Sequence, residues 1–190
     1  MTPAELLSVL NVAEKLKCTL RHCHTSTGRQ ESVAEHSWRI ALMAMLLEKE
    51  FPGADMNKVI RMCLIHDLGE AFTGDIPTFE KKAADEQAEE SVLHRWVQNL
   101  PAETRAEFTA LLSEMEAMET QEAKIYKAID KLEAVIQHNE SDIATWLPLE
   151  YDLQLRYGAE NVTFSAYMQG LKDHIDRWTR EKIRRESPAE

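Results

Sequence analysis

The chain has 190 residues, 33 of them acidic against 22 basic, for a formal net charge of −11 and a sequence pI near 5.2. That length suits one domain with a sizeable core, and the charge excludes a nucleic-acid or anionic-membrane partner, because either needs a basic face to attract phosphate. Three cysteines, Cys18, Cys23 and Cys63, are an odd number in a chain that opens MTPAELLSVL without a basic n-region or a span of roughly 20 apolar residues, so the expectation is a reduced, soluble, cytoplasmic protein.

Few glycines and prolines, many Ala, Leu, Glu and Lys, and apolar residues at helical rather than alternating spacing predict an all-α, single-domain bundle. Thr2-Pro3 caps a first helix running to about Lys17, and the CTLRHCHTSTGRQE that follows is polar and aperiodic, which predicts a long functional loop. Ser32-Val33-Ala34-Glu35 is a capping box. It opens a second helix whose face Ile40, Met43, Ala44, Leu47 recurs as i, i+3, i+4, i+7, and which ends at Pro52 to Asp55. The third helix carries Val59, Met62, Cys63 and His66 on one face, and Gly69 with Gly74-Asp75-Ile76-Pro77 opens it into a second irregular loop. Further helices are predicted over about 80–99, 102–118 and 121–139, then roughly 142–157 and 162–184. The charged end EKIRRESPAE is expected to fray, leaving residues 1–185 as the domain and 186–190 as a tail.

Four ionisable residues stand where a core is expected. His36 lies four before Ile40 and shares the inward stripe of the second helix; His66 lies seven after Val59 and shares that of the third. Asp67, about 100° around the helix from His66, reaches the same point if an ion sits near the helix end. Asp130 interrupts the apolar helix AKIYKAIDKLEAVIQ, a costly place for a carboxylate unless it is paired or metal-bound. Two imidazoles with two carboxylates make a mixed set suited to one divalent ion, Mn, Co or Zn rather than Mg.

The strings ESVAEHSW, HDLGEAFTGDIPT and AIDKLEAVIQ, with Glu35-His36, His66-Asp67 and a later lone Asp in order, resemble the HD-domain metal-dependent phosphohydrolases, and within them the small 5′-deoxynucleotidase subgroup. The resemblance implies an HD-type helical bundle, His36, His66, Asp67 and Asp130 as metal ligands, Glu70 as the acid/base carboxylate, and Asp75 as a second active-site acid that also borders the substrate. It implies that Arg21 contacts the substrate phosphate and that Arg29 is a further basic residue there. His22 stands where the subgroup's bacterial members carry a tryptophan that packs on the deoxyribose, so the resemblance leaves 2′-deoxy selectivity open. It further implies a nucleoside 5′-monophosphate substrate and a homodimer.

Glu70 would then orient or deprotonate a water, or protonate the leaving 5′-oxygen, while the arginines take the charge on the phosphoryl oxygens. A phosphodiesterase of the same superfamily and a non-catalytic binding domain are the alternatives; the first expects extra histidines where only His94 occurs, and intact Glu70 and Asp75 argue against the second. The remaining motifs read as structural. His22-Cys23-His24 is loop, His22 at most lining the pocket, since adjacent residues converge poorly on one ion. His94, His138 and His174 are surface or interface residues. Met43, Met45, Met62, Met115 and Met118 are core filler, and Asp85 to Glu90 is a solvated helix face.

Overall fold

A computed structural model describes residues 1–187. Helix α1 (Pro3–Lys15) is closed by a capping box in which the Thr2 side chain accepts from the Glu5 N–H and Glu5 reaches back to the Thr2 N–H. The segment after it departs from expectation: the predicted loop is largely a hairpin, β1 (Leu20–His24) pairing antiparallel with β2 (Gln30–Ser32). Its register is irregular between Leu20 and His24 and only Cys23 is fully buried on β1, so no alternation marks it in the sequence. The turn closes through Thr25 N–H to the Arg29 carbonyl at 2.7 Å, with Gly28 at φ +86°.

The Ser32–Glu35 capping box then starts α2 (Val33–Leu46), whose buried stripe is Val33, His36, Ser37, Ile40 and Ala44. Helix α3 (Met56–Ile65) is capped by Asp55, and a short α4 (Glu70–Thr73) follows. Next come α5 (Ala83–Val97), α6 (Ala102–Ala117) and α7 (Gln121–Glu140). Helix α7 packs against α2, α3, α6 and the hairpin and is buried on most of its circumference. The stripe Val33, Ile40, Val59, Met62, Ile125, Ile129 and Leu132 forms the centre of the core.

The predicted helix over about 142–157 is shorter, α8 (Glu150–Arg156), after a 3-10 turn at Ile143–Thr145. Pro148 explains the gap, since the residue before a proline avoids the α region. Helix α9 (Ala166–Glu186) packs on α7 and α8 and starts four residues later than predicted, at a Ser165 cap. It also outlasts the expected fraying: its buried face Met168, Lys172, Ile175, Thr179 and Lys182 carries helical spacing through the charged end. Residues 188–190 of the expected tail lie outside the described residues. Met45, read as core filler, is 54% exposed. No helix among the described residues is long and apolar enough to cross a membrane.

Candidate active site

The cap-to-core geometry of α2 buries His36 completely, and His66 caps the C-terminus of α3 with Asp67 directly after it. Asp130 approaches from α7. His66 Nε2 lies 2.9 Å from Asp67 Oδ2 and 3.9 Å from Asp130 Oδ1, and His36 Nε2 lies 3.3 Å from Asp130 Oδ1. The four residues that interrupted three apolar stripes therefore meet at one place.

The hydrogen bonds behind the imidazoles decide what that place accepts. His66 Nδ1 is 2.9 Å from the Cys63 carbonyl, which only accepts, so Nδ1 carries a proton there and Nε2 is the ring atom turned inward. His36 Nδ1 is 2.5 Å from Glu133 Oε2, with both side chains fully buried. Both Nε2 atoms are buried without a hydrogen-bond partner. Imidazole nitrogens facing carboxylate oxygens across 2.9 to 3.9 Å call for a positive charge between them, and N₂O₂ donors with imidazoles oriented from behind fit a divalent metal ion. Electrostatics agree: burial and the Arg21 charge lower the His36 imidazole, yet Asp130 and Glu133 outweigh both and push it up to about 9. Asp130 keeps Oδ1 toward the histidines because Lys127, at 3.0 Å, and Lys131, at 3.7 Å, engage its Oδ2.

A cavity of about 190 Å³ opens on this centre, lined among others by Arg21, His22, Asp67, Glu70, Asp75 and Asp130. Glu70, the first residue of α4, is buried; burial, then Asp67 and Asp75, push its carboxyl up to about 10, and its Oε2 has no partner. Asp75 is shifted upward by burial as well, against the pull of Arg21. Arg21 on β1 sets Nε 3.2 Å from Glu31 and Nη1 3.7 Å from Asp67, so the hairpin delivers a guanidinium to the rim of this histidine and aspartate cluster.

Arg29 does not join them. It lies in the hairpin turn, more than half exposed, and its guanidinium grips Glu35 at 2.9 and 2.5 Å, which turns it away from the cavity. His138, read as a surface or interface residue, instead lines the cavity beside His22, because it falls eight residues after Asp130 on the same face of α7. Glu133, Lys127, Lys131 and Glu150 were also missed. The buried polar stripe Asp130, Glu133, Gln137 has helical spacing and was the available signal, masked because acidic residues on a helix ordinarily mark its wet face.

A family model described as HD domain matches residues 13–172, and the chain belongs to that family. It stands with the metal-dependent phosphohydrolases of 5′-deoxynucleotidase type and is a hydrolase of that class. Among relatives, 5′-deoxynucleotidase HDDC2 of Homo sapiens is 32% identical over 139 residues, spanning 71% of this chain and 67% of its own length. That of Dictyostelium discoideum is 34% identical over 141 residues, 69% of this chain and 74% of its own. The crystal structure of a "Predicted metal-dependent phosphohydrolase" from Magnetospirillum magnetotacticum MS-1 superposes with a TM-score of 0.77 at 31% identity, covering 94% of this chain and 93% of that one.

Proposed function

We propose that the chain hydrolyses nucleoside 5′-monophosphates, deoxy forms included, to nucleoside and inorganic phosphate. The observation that carries this reading is the convergence of two buried, unpartnered imidazole nitrogens with Asp67 and Asp130, beside a buried Glu70 and Arg21, at the end of one cavity. The relatives named for 5′-deoxynucleotidase activity supply the substrate class.

His36, His66, Asp67 and Asp130 hold one divalent ion, with Mn, Co or Zn favoured over Mg by the two nitrogen donors. When bound, such an ion polarises the phosphoryl group and acidifies the attacking water. Arg21 binds the phosphoryl oxygens, where its guanidinium matches the charge that develops there. Burial opposes ionisation of Arg21, yet Cys23, Asp67 and Asp75 around it hold its pKa well above the usual range, so it stays cationic. Glu70 carries the proton: water oxygen bonds to phosphorus, the bond from phosphorus to the 5′-oxygen breaks, Glu70 delivers its proton to that oxygen and then regains one of the water's two protons, leaving hydrogen phosphate. Burial, with the like charges of Asp67 and then Asp75, keeps the proton on Glu70 until it is needed. His22 borders the sugar end of the cavity.

The same reading takes residues 1–185 as one catalytic domain, without a nucleic-acid or membrane partner, working in the cytoplasm; three cysteines free of disulfides support that compartment. It also takes the chain as a homodimer, supported by exposed Trp38, Met45 and Leu46 on α2. The test is phosphate release from paired ribo- and deoxyribonucleoside 5′-monophosphates by chelator-stripped protein, resupplied in turn with Mn, Co, Zn and Mg, with a phosphodiester as control. Metal-dependent release from the monoesters alone is expected. Silence on every monoester, with metal bound, refutes the reading.

A further inference from the structure

The cavity has a second end. On α7, His138 lies eight residues beyond Asp130, about 12 Å along the axis. Its Nδ1 is 2.8 Å from the Ala134 carbonyl, which only accepts, so Nδ1 carries a proton there and Nε2 is the ring atom turned toward the cavity. That nitrogen is 2.9 Å from Oε1 of Glu150, a side chain only 1% exposed whose Oε2 accepts from the Leu147 N–H at 2.7 Å. From β1, His22 brings its own Nε2 to 3.3 Å from the same carboxylate, its ring braced edge-on by Phe79 with centroids 5.3 Å apart. One donor atom from each residue lies within 4.8 Å of the other two.

This repeats the logic of the metal centre. There His66 is tied by Nδ1 to a backbone carbonyl and faces Asp67 across 2.9 Å; here His138 is tied the same way and faces Glu150 across 2.9 Å. A buried carboxylate facing two imidazole nitrogens needs positive charge between them, which protons on the rings or one divalent ion supply. A tetrahedral ion with bonds of about 2.0–2.1 Å sets its donors roughly 3.3 Å apart, and the observed separations to Glu150 are 2.9 and 3.3 Å.

We propose that His22, His138 and Glu150 form a second divalent-cation site of zinc type at the far end of the cavity. Its three donors come from β1, α7 and α8, so the ion clamps the hairpin against the two helices. Its fourth position opens into the cavity, where it takes a nitrogen or oxygen donor from the occupant. His22, a quarter exposed, gives the ion its entry path. The site shares His22 and the cavity with the reaction proposed above but is argued from its own donors, and its test does not depend on turnover.

Full-length protein is stripped with chelator, dialysed against zinc, and its metal counted per chain by atomic emission. Two equivalents are expected in the wild type and one in either His22→Ala or His138→Gln, while Asp67→Asn weakens the first equivalent and leaves the second. Cobalt-loaded wild type shows the intense visible band of a four-coordinate ion, lost in His22→Ala. The count on wild type needs no variant to fold, and His22 sits on a partly exposed strand. A single equivalent in the wild type, or a second that survives both histidine substitutions, overturns the proposal and leaves His138 as an imidazolium paired with Glu150.

Discussion

Gly158 tests how tightly the cavity wall is built. It sits at φ +75° after α8, and a Cβ there falls 2.9 Å from Lys131 Cβ on α7. Lys131 Cβ is anchored to a buried helix and cannot swing aside. Gly158→Ala therefore meets two penalties: the left-handed backbone costs about 1–2 kcal/mol for a residue with a Cβ, and the overlap costs about 1–3 kcal/mol as overpacking. A smaller unfolded-state entropy for Ala returns roughly 0.4–1 kcal/mol. The net loss is about 2–3 kcal/mol, which for a chain this size lowers Tm by roughly 4–12 °C. Two other glycines separate the contributions. Gly28 has φ +86° with nothing near its Cβ direction, so Gly28→Ala isolates the backbone penalty. Gly170 lies within α9 with open space around it, so Gly170→Ala gains up to about 1 kcal/mol of helix propensity. Thermal and urea unfolding of the three variants should rank Gly170→Ala above wild type, Gly28→Ala below it and Gly158→Ala lowest. If Gly158→Ala costs no more than Gly28→Ala, the close approach of α8 to α7 is not what holds this wall. The consequence reaches the site, because Tyr157 beside this glycine accepts from Lys131 Nζ at 2.9 Å and lies 3.0 Å from Thr78 Oγ1 in the loop that carries Asp75.

Glu70→Gln should lower kcat by about 10² to 10⁴ while leaving metal stoichiometry unchanged, as stopped phosphate assays and metal counts will show. Glu133→Gln removes the charge behind His36 and should weaken metal binding by about 10- to 100-fold in chelator competition; an unchanged Kd in a folded variant sinks that role. Burial pushes the Cys23 thiol up to about 12 and raises Cys63 likewise, whereas Cys18 is exposed, so native alkylation followed by mass spectrometry should modify Cys18 alone. Arg29, opposed slightly by burial, and the Ser32 cap hold Glu35 down at about 2 from its ordinary 4.5. A depressed carboxylate contributes stability above its unfolded pKa and loses it as pH falls through the folded one. The stability gap between wild type and Glu35→Gln should thus be full at pH 6 and close between about 4.5 and 2; a gap that persists at pH 2 contradicts the assignment.

Local signals carried the helix starts. Thr2 and Ser32 each cap the helix that their position predicts, because capping is written within four residues. The meeting of His36, His66 and Asp130 was legible for a different reason: these residues break apolar stripes, and a polar group at a core position needs a partner that burial itself demands. The hairpin was not legible, since its strands are short and irregular in register, and pairing joins residues six to twelve apart. Glu133, His138 and Glu150 escaped because nothing in sequence distinguishes a charged residue on a wet face from one turned toward a cavity until α7 is known to be enclosed on most sides. Arg29 and Arg21 share a segment and a charge; only the turn at Gly28 sends one to the solvent and the other to the site.

The position of α7 carries a last consequence, for the supply of active protein. Its Asp130 faces histidines of α2 and α3 that lie far away in the chain, so the donor set exists only after the long-range packing is complete. An ion that binds this set and not the unfolded chain stabilises by mass action, about 2.7 kcal/mol at a hundredfold excess over Kd. On the function proposed above, metal scarcity does more than idle the catalyst: it shifts the chain toward its open states, where proteases act, so abundance is expected to follow the metal level.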